Sequence, residues 1–244
     1  MKESKILLVT GASSDVGGVL IRRIADNYSY ILAHYNQSKE QINRLVEELG
    51  DKIIPIQADF SDSDSVEKMI INIKDMHKHP DHIVHLSAPK FHIQKFIKED
   101  ANSFRTEYVA SVEAIIRILM VFAPTMSKQK YGKIVFMLTK NVINYPAKYQ
   151  SLYTTTKYAL YGLMKSLAVE YADKGISVNG ISPTMMETKF LSEIPELIIR
   201  QNADTSPLKR NLLISEVVPS IVFLLSDETD AVTGVNIPIL GGIL

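Results

Sequence analysis

The sequence predicts an α/β fold, a single-domain, doubly wound parallel sheet of about seven strands with helices on both faces. Short apolar runs alternate along the chain with longer segments of helical period, which is the pattern of repeated βα units. The length of 244 residues suits one α/β domain, so residues 1–244 are expected to fold together. Basic and acidic residues number 27 each, which leaves no net charge to attract nucleic acid or an anionic membrane.

Seven apolar runs are predicted to be strands. They are Ile6–Thr10, Tyr30–His34, Ile53–Ala58, Ile83–Leu86, Ile134–Leu138, Ile176–Ile181 and Val235–Leu240. Apolar residues recur at helical spacing within 16–24, 66–73, 115–122, 160–167 and 217–225, and all these stripes, Met120 included, are predicted to be core. The long irregular stretch at about residues 184–213 is a predicted lid.

Several classes of protein are excluded by composition. The chain has no cysteine, which rules out disulfides, a zinc–thiolate site and a cysteine nucleophile. The apolar run that ends at Thr10 is too short for a signal sequence or a membrane span, so a soluble, cytoplasmic protein is expected. The histidines lack the spacing of metal ligands, so no metal site is predicted.

The first predicted strand leads into a glycine-containing turn, Thr10–Gly17, that a helix follows. Glycine permits a tight turn and lets backbone N–H groups approach a pyrophosphate at a helix N-terminus. The turn therefore indicates a dinucleotide site, although an ordinary strand-to-helix turn capped by Ser or Asp would use the same residues. Asp15 stands where a glycine is expected, and its carboxylate would repel a pyrophosphate unless it turns outward as a helix cap.

The end of the second predicted strand bears on the choice of cofactor. An acidic residue there accepts a hydrogen bond from the ribose of NAD and repels the 2′-phosphate of NADP. The segment 34–39 reads His-Tyr-Asn-Gln-Ser-Lys, without an acid, which favours NADP(H) over NAD(H); a polar loop that binds no ligand is the alternative. Asp59, after the third strand, either accepts from the adenine amino group or helps to cap the next helix.

Tyr153 and Lys157 are separated by four positions at the start of a strongly patterned helix, so they share one face. A tyrosine has a pKa of about 10, and a neighbouring cation lowers that pKa by stabilising the phenolate. The pair is therefore a candidate for proton transfer. This spacing is common by chance, so the alternative is an ordinary surface pair of Tyr and Lys. Only the surrounding motifs argue against that alternative.

Taken together, the motifs resemble the short-chain dehydrogenase/reductase family from Thr10 to Gly242. They occur in the family's order: the turn Thr10–Gly17, Asp59, Tyr153 with Lys157, Asn179-Gly180-Ile181-Ser182-Pro183, Thr188, and a closing segment 226–242 that ends in Gly241-Gly242. The resemblance implies a Rossmann fold and hydride transfer between nicotinamide C4 and a carbonyl carbon, with Tyr153 passing a proton to or from the oxygen.

The resemblance also implies the residues of the site. The catalytic residues would be Thr139, Tyr153, Lys157 and Ser111. The cofactor-binding residues would be Gly11, Ser13, Ser14, Val16, Tyr35, Asn36, Ser38, Asp59, Phe60, Ser87, Ala88, Tyr153, Lys157, Pro183, Met186 and Thr188.

Three positions depart from the family pattern. Thr139 replaces a serine that normally holds the substrate oxygen, and it keeps the hydroxyl on a stiffer side chain. Ser111 replaces the family's relay asparagine, and the segment 85–88 reads His-Leu-Ser-Ala where the family has Asn-Asn-Ala-Gly. Asp15, Ser111 and the segment 85–88 keep open a second hypothesis, a degenerate member that binds nucleotide or a partner subunit with little or no turnover.

Within the family, the chain most resembles 3-oxoacyl-acyl-carrier-protein reductases, which suggests a carrier-bound 3-ketoacyl substrate or a small carbonyl compound. Lys130 and Lys174 match basic residues that receive the acidic carrier, or they are solvated surface lysines. The family usually assembles into dimers or tetramers through the helices that contain 111–124 and 153–171, so a homodimer or homotetramer is expected. The apolar end 241–244 would fit a buried interface.

Overall fold

Seven strands form one fully parallel sheet in the computed structural model, which describes residues 5–243. The strands are β1 (Ile6–Thr10), β2 (Tyr30–Tyr35), β3 (Ile53–Gln57), β4 (His82–His85), β5 (Gly132–Met137), β6 (Ile176–Pro183) and β7 (Asn236–Ile239). Their order across the sheet is β3-β2-β1-β4-β5-β6-β7. The order reverses between β1 and β4, which opens a crevice at the carboxyl ends of these strands.

Helices cover both faces of the sheet. They are α1 (Asp15–Ile24), α2 (Lys39–Leu49), α3 (Ser63–Asp75), α4 (Ala101–Tyr108), α5 (Ala114–Gln129), α6 (Ser151–Tyr171), α7 (Glu196–Thr205) and α8 (Ile214–Leu225). Leu8 packs with α3, α5 and α6 on one face, while Leu7 and Val9 pack with α1, α2 and α8 on the other. Alternate residues of each strand thus enter two separate cores, which explains why the strands are apolar throughout. The predicted doubly wound α/β fold is confirmed.

β1 has its predicted bounds, and the ends of the other strands differ from the prediction by one or two residues because pairing, not hydrophobicity, sets them. His82 begins β4 since it pairs with Leu7, and its ring is fully buried beside the Tyr28 hydroxyl, 2.7 Å from Nδ1. β6 continues to Pro183, which pairs with Ile239. Met120 is wrongly predicted as core: its side chain is 73% exposed on α5.

The predicted lid contains regular structure that the sequence pattern did not reveal. Its residues include a 3₁₀ turn at Lys189–Leu191 and helix α7. A π-helical turn, Val109–Glu113, joins α4 to α5. The continuous helical stretch 101–129 is long and apolar enough to cross a membrane, but 56% of its most apolar window is buried in the fold, as in the core helix of a soluble domain.

Candidate active site

A cavity of about 740 Å³ lies at the carboxyl ends of the strands. Most of the predicted site residues line it, and they come from segments that are far apart in sequence. These are Gly11, Ser13, Ser14, Val16, Asn36, Ser38, Ser87, Ala88, Thr139, Tyr153, Lys157, Pro183, Met186 and Thr188. Four predicted residues, Tyr35, Asp59, Phe60 and Ser111, are not among the residues that line it.

The glycine-containing turn has the geometry of a phosphate cradle. Gly11 has a φ of +70°, and a Cβ on Gly17 would lie 2.6 Å from the Ala12 carbonyl oxygen, so both positions require glycine. Ser14 caps α1 by accepting a hydrogen bond from the Gly17 N–H at 3.0 Å. The first N–H groups of a helix have no partner within it, and here they border the cavity, as a pyrophosphate requires.

Asp15 does not act as the helix cap that the sequence analysis considered. Ser14 is the cap, and Asp15 is the first residue of α1. The Asp15 carboxylate accepts a hydrogen bond of 2.8 Å from the backbone N–H of Lys189, in the lid. The carboxylate thus joins the phosphate turn to the lid, and its negative charge lies at the favourable end of the helix dipole.

His34 supports the phosphate turn, a role that sequence reasoning missed. Its Nδ1 accepts from the Gly11 N–H at 3.1 Å, and its Nε2 donates to the Ala58 carbonyl at 3.1 Å. These two bonds require the neutral ring, and burial lowers the pKa of His34 to about 4. Phe60 stacks on this ring with centroids 3.9 Å apart. Phe60 therefore packs behind the turn and is not among the residues that line the cavity, so its predicted contact with the cofactor stays a prediction.

Tyr35 and Asp59 also lie outside the cavity lining. β2 extends one residue beyond its predicted end, so Tyr35 is a strand residue whose side chain is buried in the core. The Asp59 carboxylate accepts from the Ser61 N–H at 2.8 Å and from its hydroxyl at 2.6 Å, and these bonds lower the pKa of Asp59. Asp59 thus shapes the turn before α3, while Asp62 caps that helix.

Tyr153 and Lys157 occupy the first turns of α6 and both line the cavity. Lys157 is 4% exposed, and its Nζ donates to the Met137 carbonyl at 2.8 Å. The same Nζ lies 5.7 Å from the centroid of the Tyr153 ring. The helix therefore presents a phenol and a buried ammonium on one face, as their spacing predicts.

The pKa of Tyr153 is raised, although the neighbouring Lys157 predicts a lowered pKa. Burial raises it to about 12, and this effect exceeds the opposing influence of the Thr139 hydroxyl beside the phenol. Burial also lowers the pKa of Lys157 to about 8, although Glu107 favours its charged form. Near neutral pH, Tyr153 is a protonated phenol and Lys157 is mostly an ammonium.

Ser111 lies in the π-helical turn behind the cavity. It is 2% exposed, and no atom of residues 5–243 meets hydrogen-bond geometry with its hydroxyl. Its carbonyl accepts from His85 Nε2 at 3.1 Å, while His85 Nδ1 lies 2.8 Å from the Thr10 hydroxyl. Burial lowers the pKa of His85 to about 3, so this neutral ring joins β1 to the turn that carries Ser111.

Glu107 is a further site residue that sequence reasoning missed. It lies on α4, one helical turn before Ser111, and its charge acts on Lys157 and Tyr153. Burial raises the pKa of Glu107, while Lys157, His92 and the Ser111 hydroxyl oppose that rise. An isolated glutamate on a largely polar helix carries no sequence signal of such a role.

An apolar wall closes the lid side of the cavity. Phe91 packs edge-on against Tyr153 with ring centroids 4.8 Å apart, and Phe190 lies 5.8 Å from Phe91. Leu191 and Ile194 of the lid are buried in the same cluster. The wall favours a substrate with an apolar portion near the reacting carbonyl.

Lys130 and Lys174 are not brought to the cavity within one chain. They precede β5 and β6, so they lie at the amino ends of strands whose carboxyl ends form the site. Lys174 is paired with its neighbour Asp173 at 2.6 Å. Neither lysine lines the cavity, and their contact with an acyl carrier stays a prediction. In the part of the chain that the structure describes, no cluster of His, Asp or Glu could hold a metal ion.

Comparison with known proteins agrees with this geometry. The sequence pattern of the family described as enoyl-(acyl carrier protein) reductase matches residues 16–243. The oxidoreductase UcpA of Salmonella typhimurium is 30% identical, over 98% of this chain and 94% of its own. The 3-oxoacyl-[acyl-carrier-protein] reductase FabG of Thermotoga maritima is 27% identical, over 99% and 98% of the two chains.

A solved structure confirms the fold. The crystal structure of levodione reductase superposes with a TM-score of 0.86 at 23% identity and covers 98% of this chain and 96% of its own. The match of fold, motif order and sequence extends over nearly the whole chain. The chain therefore belongs to the short-chain dehydrogenase/reductase family of oxidoreductases, which act with a nicotinamide cofactor.

Proposed function

We propose that this chain is an NADP(H)-dependent carbonyl reductase in which Tyr153 is the proton donor. The observation that carries the proposal is the position of a protonated phenol in the cavity, beside the Thr139 hydroxyl and on one helix face with Lys157. A phenol whose pKa lies well above neutrality holds its proton until a stronger base forms next to it. This state suits reduction better than oxidation.

The residues of the cavity fit a dinucleotide. The phosphate turn, with Gly11, Ser13, Ser14 and Val16, would hold the pyrophosphate, and Pro183, Met186 and Thr188 would border the nicotinamide. When bound, the cofactor supplies the hydride. Ser87 and Ala88 follow β4 along the middle of the cavity, where a Cβ on Gly11 would lie 2.9 Å from the Ser87 nitrogen.

The preference for NADP(H) has support beyond the absence of an acid after β2. Asn36, Ser38 and Gln41 line the cavity there, and all are neutral. Lys189 of the lid reaches the same region. When the Gln41 amide is turned so that its oxygen and nitrogen exchange places, the Lys189 Nζ donates to the Gln41 oxygen at 2.8 Å and the Gln41 nitrogen donates to the Ser13 carbonyl. A cation near neutral donors favours a 2′-phosphate over a hydroxyl.

The chain's residues would act in a fixed sequence during reduction. As hydride reaches the carbonyl carbon, the C=O π electrons move to oxygen, and Thr139 stabilises the growing negative charge. Tyr153 then donates its proton to that oxygen and becomes a phenolate, which the Lys157 ammonium stabilises. Solvent returns a proton to Tyr153 before the next turnover.

For the substrate, we propose a small or carrier-bound carbonyl compound, with a 3-ketoacyl thioester as the leading candidate. Similarity to FabG over the whole chain supports this choice. The test is NADPH consumption with 3-ketoacyl thioesters, compared with unlinked ketones and sugars. Thioesters should be reduced fastest with NADPH, and Tyr153→Phe should abolish turnover. Equal rates with all carbonyl classes would contradict the thioester assignment.

A degenerate, non-catalytic member is the second candidate. It is favoured by Ser111, whose short, buried side chain stands in place of the family's relay asparagine. Titration of nicotinamide fluorescence, followed by turnover of the wild type and of Tyr153→Phe, separates the two. Cofactor binding without any difference in turnover would establish the inactive alternative.

We also propose that the protein is a cytoplasmic homodimer or homotetramer. Large apolar side chains are exposed on two helices that the family uses for assembly: Met120 on α5 is 73% exposed, and Val169 on α6 is 82% exposed. Burial of such a surface is a usual basis for association. Analytical ultracentrifugation of the wild type and of Met120→Glu would test this. The predicted contribution of the C-terminal end involves Leu244, which lies outside the described residues.

A further inference from the structure

Lys140 is a cation of the cavity without a counter-charge. It follows Thr139 directly and begins a 3₁₀ turn, and it lines the same cavity as Tyr153. Lys140 is half-buried, and burial alone lowers its pKa. No carboxylate among residues 5–243 forms an ion pair with it.

The other charged residues around the cavity have partners. Lys90 is paired with Glu193 at 2.8 Å, and both side chains are largely exposed. Lys157 donates to the Met137 carbonyl. Lys189 also forms no ion pair among residues 5–243, but its Nζ donates to the Gln41 side chain once that amide is turned to satisfy its neighbours. Asp15 is the one acidic residue that lines the cavity in the described chain, and its carboxylate is bonded to the lid at the phosphate turn.

The neighbours of Lys140 do not neutralise it either. The adjacent Asn141 uses its amide N–H groups to bond the Gln150 side chain at 2.8 Å and the Thr154 hydroxyl at 3.0 Å. A partly desolvated ammonium without an anion is costly, and a ligand that brings an anionic oxygen would offset this cost. Thr139, which would hold the reacting oxygen, is the preceding residue and lines the same cavity.

We propose that Lys140 binds an anionic oxygen group, a carboxylate or a phosphate, on the same substrate whose carbonyl Tyr153 protonates. The proposal rests on the proposed reductase function and specifies its substrate: an amphipathic carbonyl compound with an apolar part against Phe91 and Phe190. Lys140 is then a specificity-determining residue, which selects charged over neutral carbonyl compounds.

The test measures selectivity between matched charged and neutral ketones with NADPH. The carboxylate pair is 4-oxo-4-phenylbutanoate and its methyl ester; the phosphate pair is dihydroxyacetone phosphate and dihydroxyacetone. Each is assayed with the wild type, Lys140→Met and Lys140→Arg. Lys90→Met is the matched control, because Lys90 lines the same cavity but already has an anionic partner.

In one of the two pairs, the wild type should favour the charged ketone. Lys140→Met should reduce that ratio of kcat/KM values by about tenfold, the scale expected for one partly buried charge contact. Lys140→Arg should keep most of the preference, and Lys90→Met should keep all of it. Equal ratios in the wild type and Lys140→Met, or an equal loss in both Met variants, would overturn the proposal.

Failure of the proposed reductase function would be recognised separately, because then no ketone of either pair would be reduced. Lys140 would in that case be tested by binding of 4-phenylbutanoate and of inorganic phosphate, measured as a rise in melting temperature. One of these anions should stabilise the wild type and Lys140→Arg but not Lys140→Met. No difference between the wild type and Lys140→Met would refute the anion site.

Discussion

The pH dependence of carbonyl reduction should report the ionisation of Lys157. The pKa of Lys157 is about 8 because the ammonium is buried, a change from its usual 10.5 that corresponds to about 3 kcal/mol. The pKa of Tyr153, at about 12, lies too high to interfere. If the charged lysine is required, kcat/KM should be constant below about pH 7 and fall about tenfold per pH unit above pH 8.

A variant of Glu107 sharpens this test. Glu107 favours the charged form of Lys157, so Glu107→Gln should lower the pKa of Lys157 further and move the alkaline fall in kcat/KM to lower pH. Glu113→Gln is the matched control, because Glu113 lies in the adjacent π-helical turn and is paired with Arg117 at 2.6 Å. Its profile should match that of the wild type.

The assay follows NADPH absorbance from pH 5 to pH 10 with an uncharged ketone, which keeps the ionisation of Lys140 out of the profile. Far-UV circular dichroism over the same range checks that the protein stays folded. A rate that stays constant to pH 10, or an identical alkaline limb in the wild type and Glu107→Gln, would refute the role of the Lys157 charge.

Three further results are expected. Thr139→Val should lower kcat by about 10²-fold, whereas Thr139→Ser, which keeps the hydroxyl, should retain most activity in the same steady-state assay. An equal loss of kcat in the two variants would rule out a catalytic role for the Thr139 hydroxyl. Gly17→Ala forces a Cβ to within 2.6 Å of the Ala12 carbonyl oxygen and should lower the free energy of unfolding by about 1–3 kcal/mol, seen as a lower Tm and weaker NADPH binding. Gly162→Ala is the control, because a Cβ there meets open space and should change neither quantity. His34 and His85 have lowered pKa values of about 4 and about 3. Their neutral rings therefore contribute fully to stability above pH 6.5, and this contribution is lost as the pH falls from 6.5 towards these values. Urea unfolding between pH 7 and pH 4 measures the loss, and a free energy of unfolding that stays constant would contradict the buried neutral rings.

The sequence predicts the sheet well because its signals are local. Each strand is a short apolar run, and each covering helix has an apolar stripe, so the order of elements follows from periodicity. Met120 shows the limit of that approach. Periodicity identifies an apolar residue near a stripe, but not whether the helix surface at that position meets the sheet or faces outward.

The phosphate turn and the Tyr153–Lys157 pair could be predicted because a motif fixes their spacing within one segment. The sequence did not reveal that Tyr35, Asp59 and Phe60 lie outside the cavity lining, since the positions of their side chains depend on where β2 and β3 end. β2 continues one residue beyond its predicted end, and because side chains alternate between the two faces of a strand, the Tyr35 side chain is directed into the core.

The residues that sequence reasoning missed share one physical feature: each acts through a contact between distant segments. His34 bonds the turn after β1, His85 bonds both β1 and the Ser111 carbonyl, and Glu107 acts on Lys157 from another helix. Both histidines are buried and neutral, so each can accept at one nitrogen and donate at the other. A polar residue at the carboxyl end of a parallel strand is therefore a signal for the site even outside a motif, since these ends converge on the same crevice. By that reasoning, His85 bridges two segments of the site, and the departure at this position does not by itself argue for a loss of catalysis.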